Sequence, residues 1–254
     1  MSDTCIGAQL FTLRDYLKTP EDITKTLRAL REIGYEALQV SGVGPIAPRD
    51  LKKILDDEGL MACATHTGYD PLVKETERVI DEHKILGASH AVCPGLAPEY
   101  HNAQGYATVA RELSKVGKIL KEKGITLSYH NHATEFEKYG DRIGLDILYE
   151  ESDPAYLQAE LDTYWVQSGG GDPAAWCRKL AGRLPLLHLK DMGIQDNKQI
   201  MMEVGEGNLE WEGILSACRA GGTQWYLVEQ DVCQRHPLES LKISLENMRA
   251  MGLS

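Results

Sequence analysis

Eight times along the chain a short apolar or β-rich run gives way to a longer stretch with helical spacing, and this regular alternation is what most restricts the fold. The strand candidates are Cys5 to Leu10, Tyr35 to Val40, Met61 to His66, Ser89 to Cys93, Ile125 to His130, Leu157 to Asp162, Leu184 to Lys190 and Gln224 to Glu229. Helical periodicity covers Pro20 to Ile33, Pro48 to Asp57, Leu72 to Leu86, Ala107 to Lys123, Pro173 to Ala181, Trp211 to Ala220 and Pro237 to Met251. Gly34, Gly87 and Gly124 each stand between a helix and the next strand, where a left-handed residue ends a helix. Repeated βα units without a polar linker predict an α/β fold, a closed (β/α)8 barrel formed as one domain over residues 1–254, and the length is near the ~250 residues typical of that architecture. No Gly-x-Gly-x-x-Gly fingerprint marks the switch point of an open sheet, and Gly169-Gly170-Gly171 reads as a plain loop.

Charge narrows the partners. With 27 Lys and Arg against 38 Asp and Glu, the formal charge of −11 repels nucleic-acid phosphates and anionic membrane surfaces. The N-terminus lacks a basic segment leading into an apolar one, and no run approaches ~18 apolar residues, so the expected location is the cytoplasm. Six scattered cysteines without a CxxC pair are read as reduced, mostly packed thiols.

A barrel of this kind carries its chemistry at the C-terminal ends of its strands. Those ends are polar here: Gln9, Gln39, His66, His130, Asp162, His188 and Glu229. Residues two apart on a strand share a face, so Thr126, Ser128 and His130 point inward together, as do Leu186 with His188 and Leu227 with Glu229. Asp162, His188 and Glu229, with His130 as a fourth, therefore face one volume. That mixed oxygen and nitrogen set suits one divalent metal, Mn, Co, Mg or Zn, with open positions; a buried polar network is the plainer alternative.

The segments Leu161-Asp162-Thr163-Tyr164-Trp165, Leu187-His188-Leu189-Lys190-Asp191, Val204-Gly205-Glu206-Gly207 and Leu227-Val228-Glu229 resemble the xylose isomerase-like TIM-barrel superfamily, in particular its sugar phosphate isomerase/epimerase group. The likeness runs from Ile6-Gly7-Ala8-Gln9-Leu10 through the last helix. It implies metal ligands after strands five to eight: a Glu, an Asp, a His and a Glu, the last three matching Asp162, His188 and Glu229. Where that Glu is expected the chain reads Tyr129-His130-Asn131-His132-Ala133-Thr134-Glu135, so either His130 binds the metal directly or Glu135 swings in from the loop. The family's histidine three places after the Asp is replaced by Trp165, which either covers a sugar face or packs under the loop.

The resemblance implies a metal-dependent sugar or keto-sugar isomerase or epimerase working through an enediolate, with Glu229 as one acid–base group and His130 or Glu135 as its partner. A Glu–His pair also suits a lyase, dehydratase or hydratase on keto-sugars or cyclitols, and a non-catalytic sugar-binding barrel is the third reading. The DNA-repair endonucleases of the superfamily fit poorly with an acidic chain. Lys190 is expected at the rim, contacting substrate oxygens or pairing with Asp191 or Glu206; His66, Gln9 and Gln39 are further contacts, and Glu206 is read as a solvated turn residue. The expected partner is an unphosphorylated small-molecule sugar, and a homo-oligomer is expected by family analogy.

Overall fold

The computed structural model describes residues 5–253. Eight parallel strands close into a barrel: β1 Cys5–Gln9, β2 Ala37–Val40, β3 Met61–His66, β4 His90–Cys93, β5 Thr126–His130, β6 Leu157–Asp162, β7 Leu186–Leu189 and β8 Trp225–Val228. They neighbour one another in chain order, and β1 pairs with both β2 and β8, so the barrel has no open edge. Several strands are shorter than the apolar runs that predict them. Tyr35, for example, is buried but lies outside the ladder, donating its hydroxyl to Leu241 O at 2.8 Å.

The strands sort their side chains into two layers. Outward-facing Leu38, Leu127 and Tyr129 join helical leucines such as Leu27, Leu30, Leu51 and Leu55 in one continuous cluster between barrel and helices. Each fully buried leucine there contributes about 2 kcal/mol of transfer free energy. The inner layer is small: Ala37, Cys63, Ala64, Val92, Leu186 and Leu227 form a separate apolar cluster. Next along the strands the lining turns polar, with Gln9, Gln39, Ser128, His130, Glu160, Asp162 and His188 all buried.

One irregularity interrupts this alternation. Between β2 and β3 the register runs Ala37 to Met61 and Leu38 to Ala62, then jumps to Gln39 with Ala64 and Val40 with Thr65. Cys63 is the extra residue of a bulge, and both Cys63 and Ala64 belong to the inner cluster. Thr65 then points outward to His83, at 2.9 Å, and His66 points inward.

Local chemistry explains the helix ends. Thr19 caps the helix Pro20–Ile33 by accepting from Asp22 N, Pro20 opens it, and Gly34 ends it at φ 114°. The expected helix Leu72 to Leu86 is two helices, Tyr69–Lys74 and Thr76–Leu86. The Thr76 hydroxyl takes the Leu72 carbonyl, and Glu75 sits off the helical region at φ −132°. The helix expected from Ala107 begins at Ala103, where Asn102 accepts from Gly105 N at 2.8 Å. Short helices at Gly144–Glu150 and Thr163–Ser168 are additional, as is a hairpin, Asp191–Gln195 with Lys198–Met202, turned by Asp196 and Asn197 at φ 50° and 60°. Gly169-Gly170-Gly171 is a loop, as expected.

Cys63, Cys93, Cys177 and Cys218 are buried and Cys233 is half-buried. The Cys5 side chain, and residues 1–4 on which the leader reading rests, lie outside the described residues. Among the described residues no helix is long and apolar enough to cross a membrane.

Gly117 marks the tightest approach of a helix to the barrel's lower rim, since a Cβ there would stand 2.1 Å from Tyr156 O, in the turn before β6. Gly117→Ala is expected to destabilise the fold by about 2 kcal/mol. Urea unfolding should show a lower midpoint at unchanged slope; an unmoved midpoint would mean that the helix Ala103–Glu122 shifts freely on the barrel.

Candidate functional site

At the C-terminal mouth the inward residues of β3, β5, β6, β7 and β8 meet. One donor atom each of His130, Asp162, His188 and Glu229 lies within 4.8 Å of the others, and so does a second, overlapping set of His66, His130, Glu160 and His188. His188 belongs to both and divides its nitrogens between them. Its Nδ1 is 3.0 Å from Glu229 Oε2 and 3.8 Å from Asp162 Oδ2, while its Nε2 is 2.6 Å from Gln39 Oε1 and 3.2 Å from Glu160 Oε2.

Backbone positions hold these groups in place. Asp162 ends β6 and caps the next helix, accepting from Trp165 N at 2.9 Å through Oδ1, which leaves Oδ2 to the barrel mouth. Asn131 Oδ1 accepts from Asp162 N, and Thr163 clasps β7 by donating to Lys190 O and accepting from Lys190 N. Beyond β7, Asp191 accepts from Gly205 N, Gly207 N, Leu209 N and Trp211 Nε1, tying the Val204 to Leu209 loop to the residue that follows the strand.

Burial and charge oppose each other throughout the cluster. Burial raises the carboxyls of Glu160 and Glu229, but neighbouring cations outweigh it: His188, aided by His130 and His66, holds Glu160 well below the ordinary range, and Lys190 and His188 do the same for Glu229. Asp162 is lowered, because Lys190, His188 and His130 together outweigh burial. Burial pulls His188 down, yet the charges of Glu160 and Glu229 carry it well above an ordinary histidine. His130 goes the other way, pushed down to about 3 by burial and by His188.

The fit to a cation rests on what the cluster leaves unpaired. His130 Nδ1, although 3.3 Å from Glu160 Oε2, and Asp162 Oδ2, although 2.9 Å from Lys190 Nζ, are buried and take no hydrogen bond of normal geometry. An imidazole nitrogen and a carboxylate oxygen left open beside a second histidine and a second carboxylate are a donor set that suits a divalent ion.

Glu135 does not join them. Its carboxylate is buried elsewhere, accepting from Tyr129 Oη at 2.7 Å, His132 N at 2.8 Å and Thr134 Oγ1 at 3.0 Å. Tyr129 faces away from the barrel interior, so Glu135 braces the loop after β5. Lys190 is fully buried rather than at the rim, and it pairs with Asp162, Glu229 and Asp231, the last at 2.6 Å, rather than with Asp191 or Glu206. Glu206 is a solvated residue held by Asn247.

Two participants escape the sequence reading. Glu160 lies two residues before Asp162, on the same face by the alternation applied to β5, β7 and β8. Asp231 follows Glu229 by two beyond the strand, where alternation no longer governs direction.

Next to the cluster lies a cleft of about 540 Å³ lined by Leu96, His101, His132 and Trp165 among others. The His132 ring stands 4.9 Å from His130 and 5.4 Å from Trp165, and Lys190 Nζ is 5.5 Å from the centre of the Trp165 ring. Trp165 Nε1 is buried without a partner.

The chain is 28% identical to inosose dehydratase of Clostridium tetani, over 84% of this chain and 85% of that protein. It is 24% identical to the rhizopine catabolism protein MocC of Rhizobium meliloti, over 91% and 82%. A solved sugar phosphate isomerase/epimerase of Parabacteroides distasonis superposes with a TM-score of 0.83 at 26% identity, covering 98% of this chain and 95% of the other. Residues 27–251 match the xylose isomerase-like TIM barrel family, to which this chain therefore belongs.

Proposed function

We propose that the protein is a divalent-metal-dependent lyase that removes water from a keto-sugar or keto-cyclitol, by taking a proton beside the carbonyl and protonating the departing β-hydroxyl. The observation that carries this reading is the Glu229–Lys190 contact at 2.8 Å, one carboxylate and one ammonium in the buried cluster beside the cleft, while Glu135 is engaged elsewhere. Elimination needs a base for the α-proton and an acid for the leaving hydroxyl, roles that an unlike pair can divide, whereas epimerisation between two carboxylates needs a second carboxylate opposite the first. The sequence relatives named as dehydratases support the same direction.

His130, Asp162, His188 and Glu229 would hold the metal. When bound, a divalent ion, Mn, Co, Mg or Zn, supplies Lewis acidity toward the carbonyl oxygen and an adjacent hydroxyl. In this reading Glu229 accepts the α-proton, and Lys190, held by Asp162 and Asp231, gives a proton to the leaving hydroxyl. Trp165 offers a flat face and an unpaired N–H to the ring and hydroxyls of a small polyol, and His66 bounds the cluster on the β3 side. A sugar or keto-sugar isomerase/epimerase acting through an enediolate is the second reading, favoured by the Parabacteroides structure. There His130 would partner Glu229.

Elemental mass spectrometry of protein purified without chelator should find about one divalent metal per wild-type chain and none in Asp162→Ala; metal-free wild type, even after added Mn²⁺, would sink both readings. Incubation of the metal-loaded enzyme with a keto-cyclitol in D₂O, followed by NMR, should show net loss of water, and deuterium exchange without that loss would select the epimerase reading. Lys190→Met should cost about 3 kcal/mol of stability by leaving Asp162 and Glu229 buried beside no ammonium, seen as a lower unfolding midpoint.

A further inference from the structure

The buried amides of Gln9 and Gln39 can point only one way, and that direction requires a hydrogen on Nε2 of His188. Gln9 ends β1, and its side-chain oxygen must face Phe11 N, a backbone donor 3.0 Å away. Its NH₂ is then left to donate to Gln39, at 2.7 Å. At the other end of the chain of contacts Glu160 is a carboxylate that only accepts, so the group of Gln39 lying 2.7 Å from Glu160 Oε1 must be its NH₂. The Gln39 oxygen therefore faces Gln9 and His188 Nε2, at 2.7 and 2.6 Å. An oxygen 2.6 Å from an imidazole nitrogen requires a hydrogen on that nitrogen, and Glu160 Oε2 at 3.2 Å requires the same. His188 is thus held with Nε2–H inward, and Nδ1 is the nitrogen that meets Asp162 and Glu229, its hydrogen facing Glu229 Oε2 at 3.0 Å being the one a metal ion would displace.

We propose that Glu160 is a positioning residue: acting directly and through Gln39, it sets the tautomer and ring orientation of His188 so that Nδ1 is the metal-binding nitrogen. The inference rests on the metal reading above. It gives Glu160 a role outside the ligand set, and it accounts for a carboxylate placed inside the barrel one strand from His130, with which it is in register. Carboxylates behind metal-binding histidines work in this way, and losing one costs about 10- to 100-fold in metal affinity. Gln39 is part of the device because it turns an acceptor at Glu160 into an acceptor at His188.

The test is Co²⁺ titration of metal-free wild type, Glu160→Gln, Gln39→Met and Asp162→Ala, with thermal unfolding as the control for folding. Both near-isosteric changes, Glu160→Gln and Gln39→Met, should weaken Co²⁺ binding by about 10- to 100-fold, and Asp162→Ala should abolish it. In the Zn²⁺-loaded wild type, ¹⁵N NMR should find zinc on His188 Nδ1 and hydrogen on Nε2, with Glu160→Gln populating both arrangements. Unchanged affinity in a folded Glu160→Gln would overturn the proposal, and so would loss as complete as in Asp162→Ala, which would make Glu160 a direct ligand. Zinc on His188 Nε2 in the wild type overturns it as well. If Glu160→Gln does not fold, Gln39→Met alone decides by the same criteria. Failure of the wild type to bind Co²⁺ would remove the metal reading itself, and this proposal with it, a result distinct from the others.

Discussion

Ionised carboxylates inside a barrel closed to water are tolerable only where cations reach them, and the rest of this site follows from that requirement. Glu160, Asp162 and Glu229 are almost wholly buried, and an isolated charge in such a place costs several kcal/mol. Lys190 gives up all contact with solvent to stand among Asp162, Glu229 and Asp231. His188, carried well above an ordinary histidine by its neighbours, bridges Glu160 and Glu229. The arrangement carries more negative than positive charge at its centre, which is the electrostatic condition for attracting a divalent cation. The inner apolar cluster below is built of alanine, cysteine, valine and leucine, so the polar groups fill only the upper part of the barrel.

Much of this was legible in the amino-acid sequence because barrel strands obey alternation and active sites gather at one end of them. Asp162, His188 and Glu229 follow from those two rules, and His130 from the same parity on β5. Glu160 obeys them as well, but it sits one pair below the strand end and shows no chemistry until Gln39 and three histidines are seen around it. Glu135 and Lys190 differ for another reason. Their directions depend on loop geometry and tertiary contacts: Tyr129 draws Glu135 away from the barrel interior, and three acidic groups from β6 and beyond β8 draw Lys190 inward. The helix at Gly144–Glu150 carries no cap at Ile143 and is too short for a clear apolar stripe, so it left no mark on the periodicity.

A common scaffold can support isomerases, epimerases and dehydratases, since isomerisation, epimerisation and β-elimination beside a carbonyl can each begin with removal of the proton that the carbonyl makes acidic. They differ in what happens to the resulting electron pair, returned to carbon on one face or the other, or used to expel a neighbouring hydroxyl. Under the proposed reading the outcome in this chain turns on a few side chains, an imidazole at the end of β5 and an ammonium after β7, and the acid available to the leaving group, rather than the metal set, would separate the reactions.

The bulge at Cys63 acts as a reading-frame shift in the middle of β3. Strict alternation from Ala62 would turn Ala64 outward, Thr65 inward and His66 toward the helices, so the single inserted residue is what brings His66 to Glu160 and Thr65 to His83. Length changes in the loops between strands leave every side chain on its own face. Removing one residue here would exchange inside for outside in the remainder of the strand, taking a histidine from the cluster and seating a threonine in its place. Natural variation in this family should therefore treat the residue count of β3 as part of the site, as strictly kept as the identity of any group that lines it.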